Sequence, residues 1–209
     1  MGIAERKQRE KDARIKQIRD IAARLFYKKG YAETSLEEIA REAEISKAAI
    51  YLYFKSKDDL YYNIVEPALK KLSRRLIKIS EDKDELADIT VKKIIDATYD
   101  VLLNDSGAYH LLSQYNATEF KKLMPQSSLD NLKSLMRSNF SQMELAVRKG
   151  IEQGIFDKTD AKLVSIILWN CFMGIIQYQE NRMDIGRTDY SKETIDAAVG
   201  LILRGLKKE

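Results

Sequence analysis

Thr34-Ser35-Leu36-Glu37-Glu38-Ile39-Ala40-Arg41-Glu42-Ala43-Glu44-Ile45-Ser46-Lys47-Ala48-Ala49-Ile50-Tyr51-Leu52-Tyr53-Phe54 is the stretch on which the fold turns. Ile39, Ala43, Ile45, Ile50 and Tyr53 are spaced to face inward from two short helices that cross at a tight turn. Thr34 and Glu37 have the spacing of a capping box, which places an N-cap at Thr34. Ser46 is the N-cap expected for the second helix, running through Phe54. The motif therefore covers about 35–54 and reads as a helix-turn-helix whose second helix keeps an outer face for a major groove. Lys47 and Ala48 lie in its first turn, the part that reaches base edges. Tyr51 and Tyr53 offer hydroxyls to phosphates, or rings to the seam between helices. Lys55 and Lys57 offer charge to the DNA backbone, Lys55 being otherwise an ordinary solvated lysine.

The flanks agree with that reading. Ile15, Ile18, Ala22, Leu25 and Phe26 form one apolar stripe on a helix from about Arg14 to Lys29, closed by Gly30 as a C′ residue. Residues 1–13 are nearly all polar, either a frayed helical extension or a basic arm along DNA. Ser56-Lys57-Asp58-Asp59 opens a further helix to about Ile79, with Pro67 a kink. Residues 1–30 hold ten Lys/Arg against four Asp/Glu, and 45–57 hold three lysines and no acid, so the cationic charge is concentrated where a polyanion could use it. Lys70, Lys71, Arg74, Arg75 and Lys78 form another basic run, read as a solvated face.

Beyond residue 80, long helices are expected at 84–104, 106–122, 126–153, 159–181 and 191–207, and the pattern contains no strand-like alternation. The fold class is all-α: an N-terminal three-helix DNA-binding domain over 1–56 and a C-terminal helical domain over 57–209. Their boundary falls within continuous helical sequence, so the two are expected to be mechanically coupled. The segment 159–181 is apolar on almost every side, which demands cover on more than one face. Residues 128–149 and 161–178 are therefore expected to make a subunit interface, with Gly174 at a close helix crossing. Tyr99, Tyr109, His110, Tyr115, Phe140, Met143, Trp169 and Phe172 are candidates to line an effector pocket or to form core. Carboxylates are sparse among them, favouring a mostly apolar small molecule.

Several functions are excluded by inventory. One histidine, His110, and one cysteine, Cys171, lie 61 residues apart, leaving no metal set, no Glu-x-x-His pair and no intramolecular disulfide. No glycine-rich phosphate loop is present, so neither a cofactor nor a catalytic residue is expected. An architectural DNA binder would not need the C-terminal 150 residues. The first 14 residues are too charged for a signal peptide, and the longest apolar stretch, Leu163 to Ile176, spans 14 residues against the ~20 that cross a bilayer. A cytoplasmic protein without membrane contact is expected.

Ile21-Ala22-Ala23-Arg24-Leu25-Phe26, Lys29-Gly30-Tyr31, Thr34-Ser35, Glu38-Ile39-Ala40, Ile45 to Phe54 and Lys55 to Leu60 resemble the N-terminal domain of the tetracycline-repressor (TetR) family almost without gaps over 14–62. Gly150 to Phe156 and Asp160 resemble that family's junction between its last large helices. The resemblance implies a homodimeric repressor whose reading helices hold a palindromic double-stranded DNA operator, and an effector that changes their spacing. By position it puts Lys47 and Ala48 at bases and Thr34, Tyr51, Tyr53 and Lys57 at phosphates. Glu44 departs from the pattern, since glycine is common there and Glu at positive φ costs on the order of 1 kcal/mol.

Overall fold

The computed structural model describes residues 2–104, 111, 125–183 and 188–208. Every extended element among them is a helix: α1 Ile3–Glu33, α2 Leu36–Glu42, α3 Lys47–Ile50, α4 Lys57–Ser80, α5 Ala87–Asn104, α6 Gln126–Glu152, α7 Ala161–Met183 and α8 Ser191–Leu206. The chain is all-α. It divides into two compact units, residues 1–68 with 105–132, and residues 69–104 with 133–209.

In the first unit α1 begins eleven residues before the start read from its apolar stripe. No breaker interrupts Ile3–Arg14, and side chains four apart tie successive turns, Arg6 to Glu10 and Gln8 to Asp12 at 2.8 Å. The apolar stripe is where it was expected, with Ile18, Ala22 and Phe26 fully buried. Gly30, inside that span, takes φ +83, a kink that breaks the long helix before its last few residues to Glu33. The cap of α2 is displaced by one residue from the expected one. Ser35, not Thr34, accepts from the Glu38 N–H at 3.1 Å. Thr34 turns its hydroxyl back into α1, donating to Gly30 O at 2.9 Å and lying 3.3 Å from Leu25 O. A hydroxyl engaged with the preceding helix cannot cap the next one.

In the second unit α8 packs along α7 and touches α5. The end of α6 is a tight corner. Gly154 takes φ +71, and the N–H groups of Ile155 and Phe156 both donate to Gly150 O at 3.0 Å. Phe156 is 2 % exposed and its ring covers Gly150. Asp157 N–H to Leu206 O at 2.8 Å and Lys208 N–H to Ile155 O at 3.2 Å stitch this corner to the end of α8. Asp160 then caps α7 through the N–H groups of Lys162 and Leu163. These contacts account for the Gly150–Phe156 and Asp160 pattern.

The burial of α6 and α7 differs from expectation in one respect. Along α7, Val164, Leu168, Phe172 and Ile176 are buried, while Leu163, Ile166, Ile167, Trp169 and Tyr178 are exposed, so an apolar face is left over. The stretch Ala161–Gln179 is long and apolar enough to cross a membrane by length and composition, longer than the apolar run isolated from sequence, and 33 % of it is buried. On α6, by contrast, Leu129, Leu132, Met143, Ala146 and Val147 are already buried and Leu145 is its one exposed large apolar side chain among the described residues. Leu135, Met136 and Phe140, also on α6, are half-buried. On α8 Leu201 is exposed, as is Tyr190 just before the helix.

Candidate nucleic-acid interface

The surface is built on a small packed frame. α2 contacts both α1 and α3. Ile39, Ala43 and Ile50 are fully buried in it, and Phe54, which the inward pattern had not included, is buried with them; Ile45 and Tyr53 are only half-buried. Between α2 and α3 the chain reverses on Glu44 at φ +55, the expected positive-φ residue, with Ile45 N–H bonded to Ala40 O at 3.0 Å. Ser46 caps α3 as expected, accepting from Ala49 N–H at 3.1 Å. The helix proper ends at Ile50, shorter than read from sequence. The chain continues in tight turns, with the Tyr53 and Phe54 N–H groups both on Ile50 O at 2.9 Å.

Ser46, Lys47, Ala48, Tyr51, Leu52 and Lys55 are exposed along this segment. Leu52 is 78 % exposed and was not singled out beforehand. Its position was legible, because Ile50 and Phe54 pointing inward leave 51 and 52 outward. The Lys47 ammonium pairs with the Glu37 carboxylate of α2. That hydrogen bond raises Lys47 above lysine's usual range and holds Glu37 below the usual carboxylate range.

Two residues placed at phosphates by the resemblance have other partners here. Thr34 is 1 % exposed, with its hydroxyl on α1. The Lys57 ammonium donates to Tyr31 O at 2.7 Å and Thr34 O at 2.9 Å, lies 3.3 Å from Ala32 O, and sits 4.3 Å from the centroid of the Tyr31 ring. Burial pushes Lys57 below lysine's usual range, against Asp58 and Glu33. Tyr31 in turn donates its hydroxyl to Asp58, and burial followed by Asp58 raises that phenol. Its ring packs at 5.3 Å from Phe26 and edge-on at 5.5 Å from Tyr61. The start of α4 is thus locked to the end of α1, and Ser56 and Asp59 complete the α4 cap as expected, through Asp59 N–H to Ser56 Oγ at 3.0 Å and Lys55 N–H to Asp59 at 2.8 Å. Lys57→Met, which removes every one of these donors, should lower stability in urea unfolding by about 1–3 kcal/mol. Unchanged stability with a flatter salt dependence of DNA binding would instead make Lys57 a phosphate contact.

The effector candidates are dispersed. Tyr99 is half-buried, its hydroxyl 3.0 Å from Ser191 Oγ. Met143 and Phe172 are buried and Phe140 half-buried. Trp169 stacks on Phe172 at 6.1 Å from the exposed side of α7. Tyr109, His110 and Tyr115 lie outside the described residues. A groove of about 570 Å3 beside α7 is lined by Asn170, Gly174, Tyr178, Gln179 and Tyr190 among others, and by none of these candidates. Among the described residues no group of three His, Cys, Asp or Glu could hold a metal ion.

Residues 18–63 match the model of the family described as bacterial regulatory proteins, tetR family. Over 183 residues, 84 % of this chain and 86 % of the relative, the sequence is 27 % identical to the uncharacterized HTH-type transcriptional regulator YfiR of Bacillus subtilis (strain 168). It is 24 % identical over 188 residues to the HTH-type nicotine-responsive transcriptional repressor HdnoR of Paenarthrobacter nicotinovorans, covering 88 % of this chain and 93 % of that one. Among solved structures, the TetR family transcriptional regulator PfmR of Thermus thermophilus superposes with a TM-score of 0.77 at 26 % identity, over 92 % of this chain and 96 % of that one. With the helix-turn-helix and its caps in place, residues 18–63 form a tetR-family DNA-binding domain, and the chain as a whole is similar to transcriptional regulators of that family.

Proposed function

We propose that the protein is a cytoplasmic homodimeric repressor that holds a palindromic operator through two copies of α3 and is released by a small, mostly apolar effector. The observation that carries the DNA reading is the exposed segment from Ser46 to Lys55, which contains no carboxylate and stands on a buried frame. Within it Lys47 and Ala48 face base edges, Leu52 offers an apolar contact to a thymine methyl, and Tyr51 and Lys55 meet phosphates, with Tyr53 at the rim. The exposed apolar face of α7 with Leu201 of α8 supports a twofold interface. Aromatic side chains in the C-terminal region support a mostly apolar effector, and a nicotine-responsive relative supports a small-molecule one.

Selection from randomised duplexes should return two inverted half-sites whose centres are about 34–36 Å apart, one turn of DNA. Affinity for the selected duplex should fall linearly in log–log form with salt, by a slope of about 0.9 for each phosphate neutralised. Binding that ignores salt, or a selection that returns no motif, would refute the reading.

A further inference from the structure

The three carboxylates of α2 are all paired, but not with the same element. Glu38 pairs with Lys29 and Glu42 with Arg24, both on α1. Glu37 alone among them reaches the reading helix, where it holds Lys47. Both side chains of that pair are exposed, 46 % for Lys47 and 59 % for Glu37. Such a pair adds little to folding. Glu37 is also settled where it stands without Lys47, because an acid in the first turn of α2 suits the positive end of the helix. The carboxylate is therefore a fixed anion beside a polyanion's docking surface, and it engages the one lysine in the first turn of α3.

A lysine carries three N–H donors on a flexible stem and attracts phosphate as a point charge. With one donor on Glu37, the ammonium is drawn towards α2 and two donors remain. A base edge presenting paired acceptors, as guanine does with O6 and N7, can use both. A bare phosphate meets a cation whose charge is already balanced. Weakening the attraction to the wrong partner is a general route to specificity.

We propose that Glu37 is a specificity-determining residue that aims Lys47 at a base edge and suppresses its attraction to phosphate. This rests on the reading of α3 as the base-reading element. The full-length protein and its Glu37→Gln, Lys47→Gln and double variants are titrated, over a salt series, with the operator selected by the wild type and with a random-sequence duplex of equal length. Glu37→Gln should bind the random duplex about threefold to tenfold more tightly, with a salt slope steeper by about 0.9, and should gain less on the operator. In the Lys47→Gln background the same substitution should change nothing. If Glu37→Gln matches the wild type on both duplexes while Lys47→Gln weakens operator binding, the inference falls and the reading of α3 stands. A gain that persists without Lys47 would show that Glu37 acts on DNA by its own charge, which also overturns it. If Lys47→Gln binds both duplexes as the wild type does, the reading of α3 itself fails.

Discussion

Ile167→Arg should yield a folded monomer that no longer holds a two-half-site operator. Ile167 is 48 % exposed on α7, in the stripe with Leu163, Ile166, Gly174 and Tyr178. In the chain by itself an arginine there meets water, so the melting temperature should hardly move. Between two copies it would be an uncompensated buried charge, worth about 3–5 kcal/mol, or roughly two to four orders of magnitude in association. Operator affinity should fall with it, because one reading head makes only half of the contacts. Gly174→Phe is a companion test. No atom lies within 4 Å of where a Cβ at Gly174 would stand, so the close crossing expected there is not made among the described residues, and a bulky side chain there should disturb a second copy more than the chain's own packing. Sedimentation at micromolar concentration reads both variants. A wild type that sediments as a monomer would remove the dimer, and a dimeric Ile167→Arg would move the interface off this face.

Gly150→Val should destabilise the second unit strongly. A Cβ at Gly150 would stand 2.1 Å from Phe156 Cδ2 and 2.3 Å from Cε2. The ring cannot step aside easily, since the Asp157 and Lys208 N–H bonds tie its backbone to the end of α8. Overpacking of this kind costs about 1–3 kcal/mol. The roughly 1 kcal/mol that a helix gains when glycine is replaced by a better helix former is smaller still for a β-branched residue. Urea unfolding followed by helical circular dichroism should show a lower midpoint. A midpoint at or above the wild-type value would mean that the corner repacks around the new side chain.

Helices, caps and turns were legible in the residues because each depends on near neighbours in sequence. The apolar stripe of α1, the left-handed turn at Gly30, the Ser46 cap, the Ser56–Asp59 cap and the strained Glu44 all follow from periodicity and local backbone demands. The dense run from Ile21 to Leu60 carried the family in the same way. What the sequence could not decide was which surfaces meet. Thr34 and Ser35 both suit an N-cap, and only the approach of α1 turned the Thr34 hydroxyl away and left the cap to Ser35. Lys57 reads as one more exposed cation until the carbonyl end of α1 arrives against it, 23 to 26 residues earlier in the chain. Lys47 gives no sign of Glu37, ten residues away. The segment of α7 is apolar on almost every side in sequence, yet only the packing decides that Val164, Leu168, Phe172 and Ile176 are buried while Leu163, Ile166 and Ile167 stay in water. Local pattern determined where this chain is helical and which faces are apolar. Tertiary structure alone decided which of those faces and charges were satisfied within the chain, because a long-range contact depends on the arrangement of both partners and is written in neither stretch by itself.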